Sequence, residues 1–212
     1  MTPDELVNSI MFVSFAAIST TTFHCTHFIY DVAAHADLRA KMYEEQQQVI
    51  AKHGTAFSKE ALRDMTYMEA CLRETLRLNV NGPGTTRMAR SDHTFSNGIS
   101  IPAGRVCLVH TRAVNRDPDI YKAAEEYLPE RAADQSNPHA ATVMPGYVTF
   151  GMGPSACPAR FFAVNELKML MSCLLRRYDF TTASGKRPVE KIQRTTEYLP
   201  VDEPIIFTAR TT

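Results

Sequence analysis

Phe150-Gly151-Met152-Gly153-Pro154-Ser155-Ala156-Cys157-Pro158-Ala159-Arg160 is the stretch on which the reading of this chain turns. Two glycines and a proline force a tight, stiff loop, because glycine reaches backbone angles closed to other residues and proline fixes its own. The loop delivers Cys157 just ahead of Pro158, where a long helix is expected to open. Ala163, Val164, Leu167, Leu170, Met171, Leu174, Leu175 and Tyr178 keep an apolar stripe along it at i, i+3, i+4, i+7 spacing. A thiol at the mouth of a helix feels the positive end of the peptide dipoles and unpaired backbone N–H groups, which favour the thiolate. Two readings stand: a buried structural cysteine, the ordinary state of a free thiol, or a thiolate ligand that pushes electron density to heme iron.

Working outward, Thr2-Pro3-Asp4-Glu5 is a helix start, with Thr2 as cap, Pro3 in the first turn and Glu5 reaching back. No glycine or further proline follows until well past Tyr30. The helix is therefore expected to run for about 30 residues, roughly 45 Å at ~1.5 Å per residue. Thr20, Thr21 and Thr22 in its middle are poor helix formers, so some requirement other than propensity put them there. A second helix is expected over Asp37–Lys52, closed by Gly54, and a third over Met65–Leu78, stopping before Gly82-Pro83-Gly84. Thr85–Thr111 reads as a hairpin or small sheet with turns at Asn97-Gly98 and Pro102-Ala103-Gly104. Asn115–Pro145 reads as an irregular meander, and Tyr198-Leu199-Pro200 with Pro204-Ile205-Ile206-Phe207 as a strand pair.

The whole chain has 212 residues, 44% hydrophobic and 22% charged, which fits one globular domain rather than disorder. Lys+Arg and Asp+Glu balance at 23 each, so no basic nucleic-acid surface is expected. The five cysteines are scattered without a Cys-x-x-Cys pair, which favours free thiols in a reducing compartment. The apolar run Leu6–Ile18, interrupted by Asn8, Ser9 and Ser14, is expected to be a buried helix rather than a membrane span. With no secretory signal, a soluble or peripherally attached chain is expected. His24, Cys25 and His27 are spaced to share a metal, but packing or solvent-facing roles are the more ordinary reading for them.

In its motifs the chain resembles the cytochrome P450 family of fungal type, and specifically the C-terminal half of that fold. Phe150, Gly153 and Cys157 match the signature Phe-x-x-Gly-x-x-x-Cys-x-Gly, with Ala159 in place of the last glycine and Ser155 in place of a basic residue. Glu74-Thr75-Leu76-Arg77 matches Glu-x-x-Arg, and Tyr127-Leu128-Pro129-Glu130-Arg131 resembles the motif of the second arginine, with Ala132 where an aromatic is usual. Ala16-Ala17-Ile18-Ser19-Thr20-Thr21 resembles the oxygen-activation motif Ala-Gly-x-Asp/Glu-Thr-Thr, with Ala17 for glycine and Ser19 for the acid.

The resemblance implies a mainly α fold with small β-sheets, one partial domain over residues 1–212, and a heme held by Cys157. It implies contacts to the cofactor from Phe150, Gly151 and Ala17, and a propionate anchor at Arg87, with Arg90 as the alternative. Thr20 and Ser19 are the implied proton relay, and Glu74, Arg77 and Arg131 the implied structural charge network. The implied activity is monooxygenation of an apolar small molecule in secondary metabolism, with electrons from a flavoprotein reductase steered by Arg160 and Lys168. The implied setting is the endoplasmic-reticulum membrane, and for a chain without an anchor, the cytoplasm or that membrane's surface. A second reading, a truncated remnant that binds heme or a protein without turnover, follows from Ser19 and Ser155. Either way, the apolar faces of the first and last long helices are expected to lie exposed and to invite self-association or a partner.

Overall fold

In the structure, a computed structural model, residues 1–80, 84–134, 139–193, 197–199 and 201–211 are described. Helix α1 (Pro3–Ala34) starts as its first residues dictate. Glu5 N donates to Thr2 Oγ1 at 3.2 Å, and Thr2 N donates to Glu5 Oε2 at 2.7 Å. Helix α2 (Ala36–His53) ends at Gly54, whose φ of +76° suits glycine. A short helix α3 (Lys59–Asp64), not foreseen, is capped by Ser58, whose hydroxyl accepts from Ala61 N. Helix α4 (Thr66–Leu78) follows, and its N-terminus is capped from another element. Glu45 on α2 accepts from Tyr67 N at 2.5 Å and Met68 N at 3.0 Å.

Strands β1 (Gly84–Met88) and β4 (Val106–His110) pair antiparallel, Arg87 opposite Cys107, and a smaller ladder joins β2 (His93–Thr94) to β3 (Ser100–Ile101). This is the small sheet expected from Thr85 to Thr111, although Gly82 and Pro83 before it lie outside the described residues. Helix α5 (Thr111–Asn115) leads into the meander, which contains the short helix α6 (Arg131–Asp134). Helix α7 (Arg160–Arg177) begins two residues later than the sequence suggested. Cys157 N is bound back to Phe150 O at 2.8 Å, so the loop still directs the chain at Pro158, and Ala159 becomes the cap residue.

The tail differs from expectation in pairing. Strand β5 (Tyr178–Thr182) takes β8 (Ile205–Ala209) as its partner, and β6 (Lys191–Gln193) takes β7 (Glu197–Leu199). The two predicted segments are strands but not a pair, and Pro200 lies outside the described residues. Ring contacts of Phe207 with Tyr178 and Phe180, at 5.7 and 5.5 Å, fix the β5–β8 choice.

The core sits where α1, α2, α4 and α7 meet, each packed on the other three. Phe28 and Val32 of α1, Met42 of α2, Leu72 and Leu76 of α4, and Leu167, Met171 and Leu175 of α7 are buried there with Tyr147 of the meander. Each such side chain stabilises the fold by about 1.5–3 kcal/mol through removal from water. The run Leu6–Ile18 is not part of this core. Leu6 is 50% exposed, Phe12 72% and Ile18 68%, and the buried residues of α1 begin only at Phe23. The helix has the length expected of it. At 32 residues it is long and apolar enough to cross a membrane by length and composition, a test that core helices also pass.

Candidate functional site

The cysteine loop is closed by three backbone hydrogen bonds. Gly151 N donates to Val148 O (2.9 Å), Ala156 N to Gly153 O (3.0 Å) and Cys157 N to Phe150 O (2.8 Å). Gly151 and Gly153 have φ of +74° and +73°, a region where a Cβ is disfavoured, so the turn depends on glycine at both positions. Cys157 is half-buried, and its sulfur makes no hydrogen bond among the described residues. Arg160, in the first turn of α7, donates from Nη1 to Cys157 O at 2.9 Å and lies over the Phe161 ring at 4.7 Å.

Strand β1 runs past this loop. A Cβ placed on Gly151 would lie 3.6 Å from Thr85 Oγ1. Thr85 and Arg87 are two apart on one strand and share a face, so the strand presents Arg87 on the loop's side. Arg87 is exposed and, among the described residues, donates only to its neighbour's carbonyl, Thr86 O, at 2.8 Å. Its other N–H groups stay available to a planar anion such as a carboxylate. Arg90 is exposed beyond the end of the strand.

Opposite α7, α1 forms one wall of a cleft of about 560 Å³. Ala17, Thr21 and Cys25 line it from α1, and Phe162, Glu166 and Leu170 from α7. Thr21 Oγ1 donates to Glu166 Oε2 at 3.4 Å. Burial, and then the Glu166 charge, push the Cys25 thiol up. Ala17 thus reaches the cleft, whereas Thr20 and Ser19 do not line it. Thr20 Oγ1 donates to Ala16 O at 2.7 Å and Ser19 Oγ to Phe15 O at 2.8 Å, each satisfied within its own helix. No hydrogen bond joins either hydroxyl to the cysteine loop among the described residues.

The charge network is where the sequence reading gains most. Glu-x-x-Arg pairs on a surface contribute little, but Glu74 and Arg77 are 3% and 1% exposed. Arg77 donates from Nε to Glu74 Oε1 and from Nη2 to Glu74 Oε2, both at 2.8 Å. Its remaining N–H groups reach Asn115 O, Ala124 O and Glu126 O at 2.9, 2.7 and 3.0 Å. Arg131 donates to Glu74 Oε2 at 3.3 Å and to Ala123 O at 2.8 Å, and also binds Lys122 O. All three network residues therefore meet, and the meander folds around them.

A second buried cluster went unread. Asp31 on α1 is fully buried and accepts from Arg187 Nε at 2.5 Å and Thr75 Oγ1 at 2.8 Å, while Arg187 also reaches Asn79 and His27. His27 therefore packs between Phe23 and Arg187 rather than beside a metal. Among the described residues no group of three or more His, Cys, Asp or Glu is placed to hold an ion. Lys168 is also reassigned. It is 1% exposed and bound to Glu69 at 2.7 Å, so it offers no surface charge to a partner.

The family model described as cytochrome P450 matches residues 1–208. The chain belongs to the cytochrome P450 family. It is 32% identical to cytochrome P450 monooxygenase 151 of Postia placenta over 99% of its own length and 44% of the relative's. It is 30% identical to cytochrome P450 monooxygenase terP of Tolypocladium album over 90% of the chain and 39% of that relative. It is also 30% identical to cytochrome P450 monooxygenase TRI1 of Fusarium sporotrichioides, over 84% and 34%. The chain thus spans less than half the length of these relatives, and its helices with small sheets form a partial P450 fold.

The P450 family implies a heme bound through a cysteine thiolate and small-molecule substrates. The residues present fit such a group. Among the described residues, the Cys157 sulfur on its glycine-shaped loop has no hydrogen-bond partner, and Arg87 on the strand beside it donates to Thr86 O alone.

Proposed function

We propose that this chain forms the heme-binding part of a heme-thiolate monooxygenase acting on an apolar small molecule in fungal secondary metabolism, with residues 1–212 as one partial domain. The observation that carries the reading is the Cys157 loop, closed by the Cys157 N to Phe150 O bond and leaving the sulfur without a hydrogen-bond partner among the described residues. Cys157 would hold the iron, Phe150 and Gly151 would shape the proximal surface, and Arg87 (or Arg90) would bind a propionate. When bound, the heme supplies activation of dioxygen for insertion of one oxygen atom into the substrate.

The chain's own residues do the rest. Ala17 keeps the cleft wall low. The hydroxyl oxygens of Thr20 and Ser19 keep lone pairs that accept from water, and each donates to it only by giving up its bond to the carbonyl four residues back. Glu74, Arg77 and Arg131 hold the meander beneath the loop. A flavoprotein reductase is the natural electron donor, and Arg160 remains the basic residue on the cysteine side to guide it. The chain is read as cytoplasmic or peripheral to the endoplasmic-reticulum membrane, a setting common in the family. The exposed apolar side of α1 is compatible with the latter. A second reading, a module that binds heme or a protein without turnover, is favoured by the position of Thr20 outside the cleft.

The test is spectroscopic. Heme-reconstituted, reduced protein exposed to carbon monoxide is expected to show the red-shifted Soret band of thiolate ligation, and Cys157→Ala to abolish it. A wild-type chain that takes up no heme, or binds it without that band, overturns the reading. Product formation with a reductase then separates turnover from the second reading.

A further inference from the structure

Asn115, the last residue of α5, is fully buried and joins three parts of the chain. Its Oδ1 accepts from Val148 N at 3.0 Å, and its Nδ2 donates to Thr149 Oγ1 at 2.8 Å and to Arg77 O at 3.2 Å. Thr149 Oγ1 in turn donates to Leu76 O at 2.9 Å. The main-chain carbonyl of Asn115 accepts from Arg77 Nη1 at 2.9 Å. Only one orientation of the amide works, because the flipped one would set N–H against Val148 N–H and oxygen against the Arg77 carbonyl. Aspartate would lose both donations, and alanine would lose all three side-chain bonds.

Val148 and Thr149 lead straight into Phe150, whose carbonyl receives Cys157 N at 2.8 Å. A continuous hydrogen-bonded path thus runs from the buried Glu74–Arg77 pair, through both amides of Asn115, to the base of the cysteine loop. Nothing else in that path has the fork of one acceptor and two donors that the three partners require.

We infer that Asn115 is a positioning residue: its side-chain amide latches Val148 and Thr149 to the end of α4 and so fixes where the loop presents the Cys157 sulfur. The inference rests on the proposed heme-thiolate reading for its purpose. Its geometry can be tested without heme.

In the full chain without heme, alkylation by iodoacetamide is followed cysteine by cysteine with peptide mass spectrometry. Cys71, fully buried on α4, reports global opening. Asn115→Ala is expected to raise the Cys157 rate about tenfold while Cys71 stays protected, since loss of a few buried hydrogen bonds opens a local segment on that scale. Thr149→Val should act alike, the double variant should be no faster than either single one, and Thr149→Ser, which keeps the hydroxyl, should behave as wild type. An unchanged Cys157 rate overturns the inference, and so does equal acceleration at Cys71 and Cys157, which would mean general unfolding. In heme-loaded protein, Asn115→Ala is expected to keep heme but lose the red-shifted carbon monoxide band; heme with an unaltered band also overturns the role. Failure of the wild type to bind heme sinks the proposed function alone, because the alkylation rates still decide the latch.

Discussion

On α4, Glu74 and Arg77 are 3% and 1% exposed, and all five N–H groups of the Arg77 guanidinium have acceptors. On α1, Phe12 and Phe15 are each 72% exposed, with nothing described packed on them. The side of the site that carries the cysteine loop rests on this buried network, while the buried residues of the helix facing it begin only at Phe23. A charge can be buried only where every lone pair and proton finds a partner. The network under the loop meets that requirement with groups of this chain alone.

The sharpest way to break that contrast is to cut the network. Glu74→Ala leaves the Arg77 guanidinium buried without its carboxylate and is expected to destabilise the chain by about 3–5 kcal/mol, enough to prevent folding. Urea denaturation checks it. A loss below about 1 kcal/mol would show that water reaches the pair and that the two regions are not so different.

Apolar side chains allow the same comparison at smaller cost. Leu72→Ala empties a fully buried site and is expected to cost about 2–5 kcal/mol. Phe12→Ala should stay within about 0.5 kcal/mol because no packing is lost. The exposed phenyl groups matter to association instead. The chain is expected to self-associate in light scattering, and the Phe12→Asp/Phe15→Asp variant to be monomeric at unchanged stability. A wild-type monomer would remove the case for a sticky α1 face.

His24 and His27 lie where the two parts of α1 meet, and they make the boundary titratable. Burial lowers the His24 pKa to about 4. Burial, then Arg187, His24 and Arg112, lower that of His27 to about 3. Both histidines are neutral in the folded chain and gain protons near pH 6.5 once it unfolds, so below that point the unfolded state binds more protons. Stability they support above about pH 6.5 is thus lost progressively as pH falls toward 4 and then 3, by about 1 kcal/mol per histidine per pH unit. Urea midpoints from pH 7 to 5 measure the slope. His27→Gln should remove roughly half of it, and an unchanged slope would place the titration elsewhere.

How much of this was legible in the sequence follows the same division. Caps and breakers are local, so Thr2-Pro3-Asp4-Glu5 and Gly54 mark helix ends within a residue or two, and Ser58 is the corresponding local signal for α3. Motif spacing located Glu74, Arg77 and Cys157. It could not show burial, which turned an ordinary surface pair into a foundation and took Lys168 out of reach. Pairing of β5 with β8 and the roles of Asn115 and Arg187 depend on contacts between residues far apart in the chain, and no local pattern carries them. Leu6–Ile18 is exposed, against the expectation of a buried helix and in line with that of an exposed apolar face, because an apolar run records what a helix can pack against, not what is present to pack on it.

Thr20 and Ser19 give the smallest expected effect and the finest test of the contrast. Each sits on the unpacked half of α1 and sends its hydroxyl proton to the carbonyl four residues back, an arrangement that mildly weakens a helix. Alanine removes that competition and has the higher helix propensity, so Thr20→Ala and Ser19→Ala should each be neutral or stabilising, by about 0.5 kcal/mol at most. Urea midpoints and helical circular dichroism would register it. The sign carries the information. A neutral or stabilising outcome would show that neither hydroxyl supports the fold of α1. If instead Thr20→Ala costs more than about 1 kcal/mol, the hydroxyl is supporting packing, α1 is better anchored than its exposure implies, and the threonine is structural.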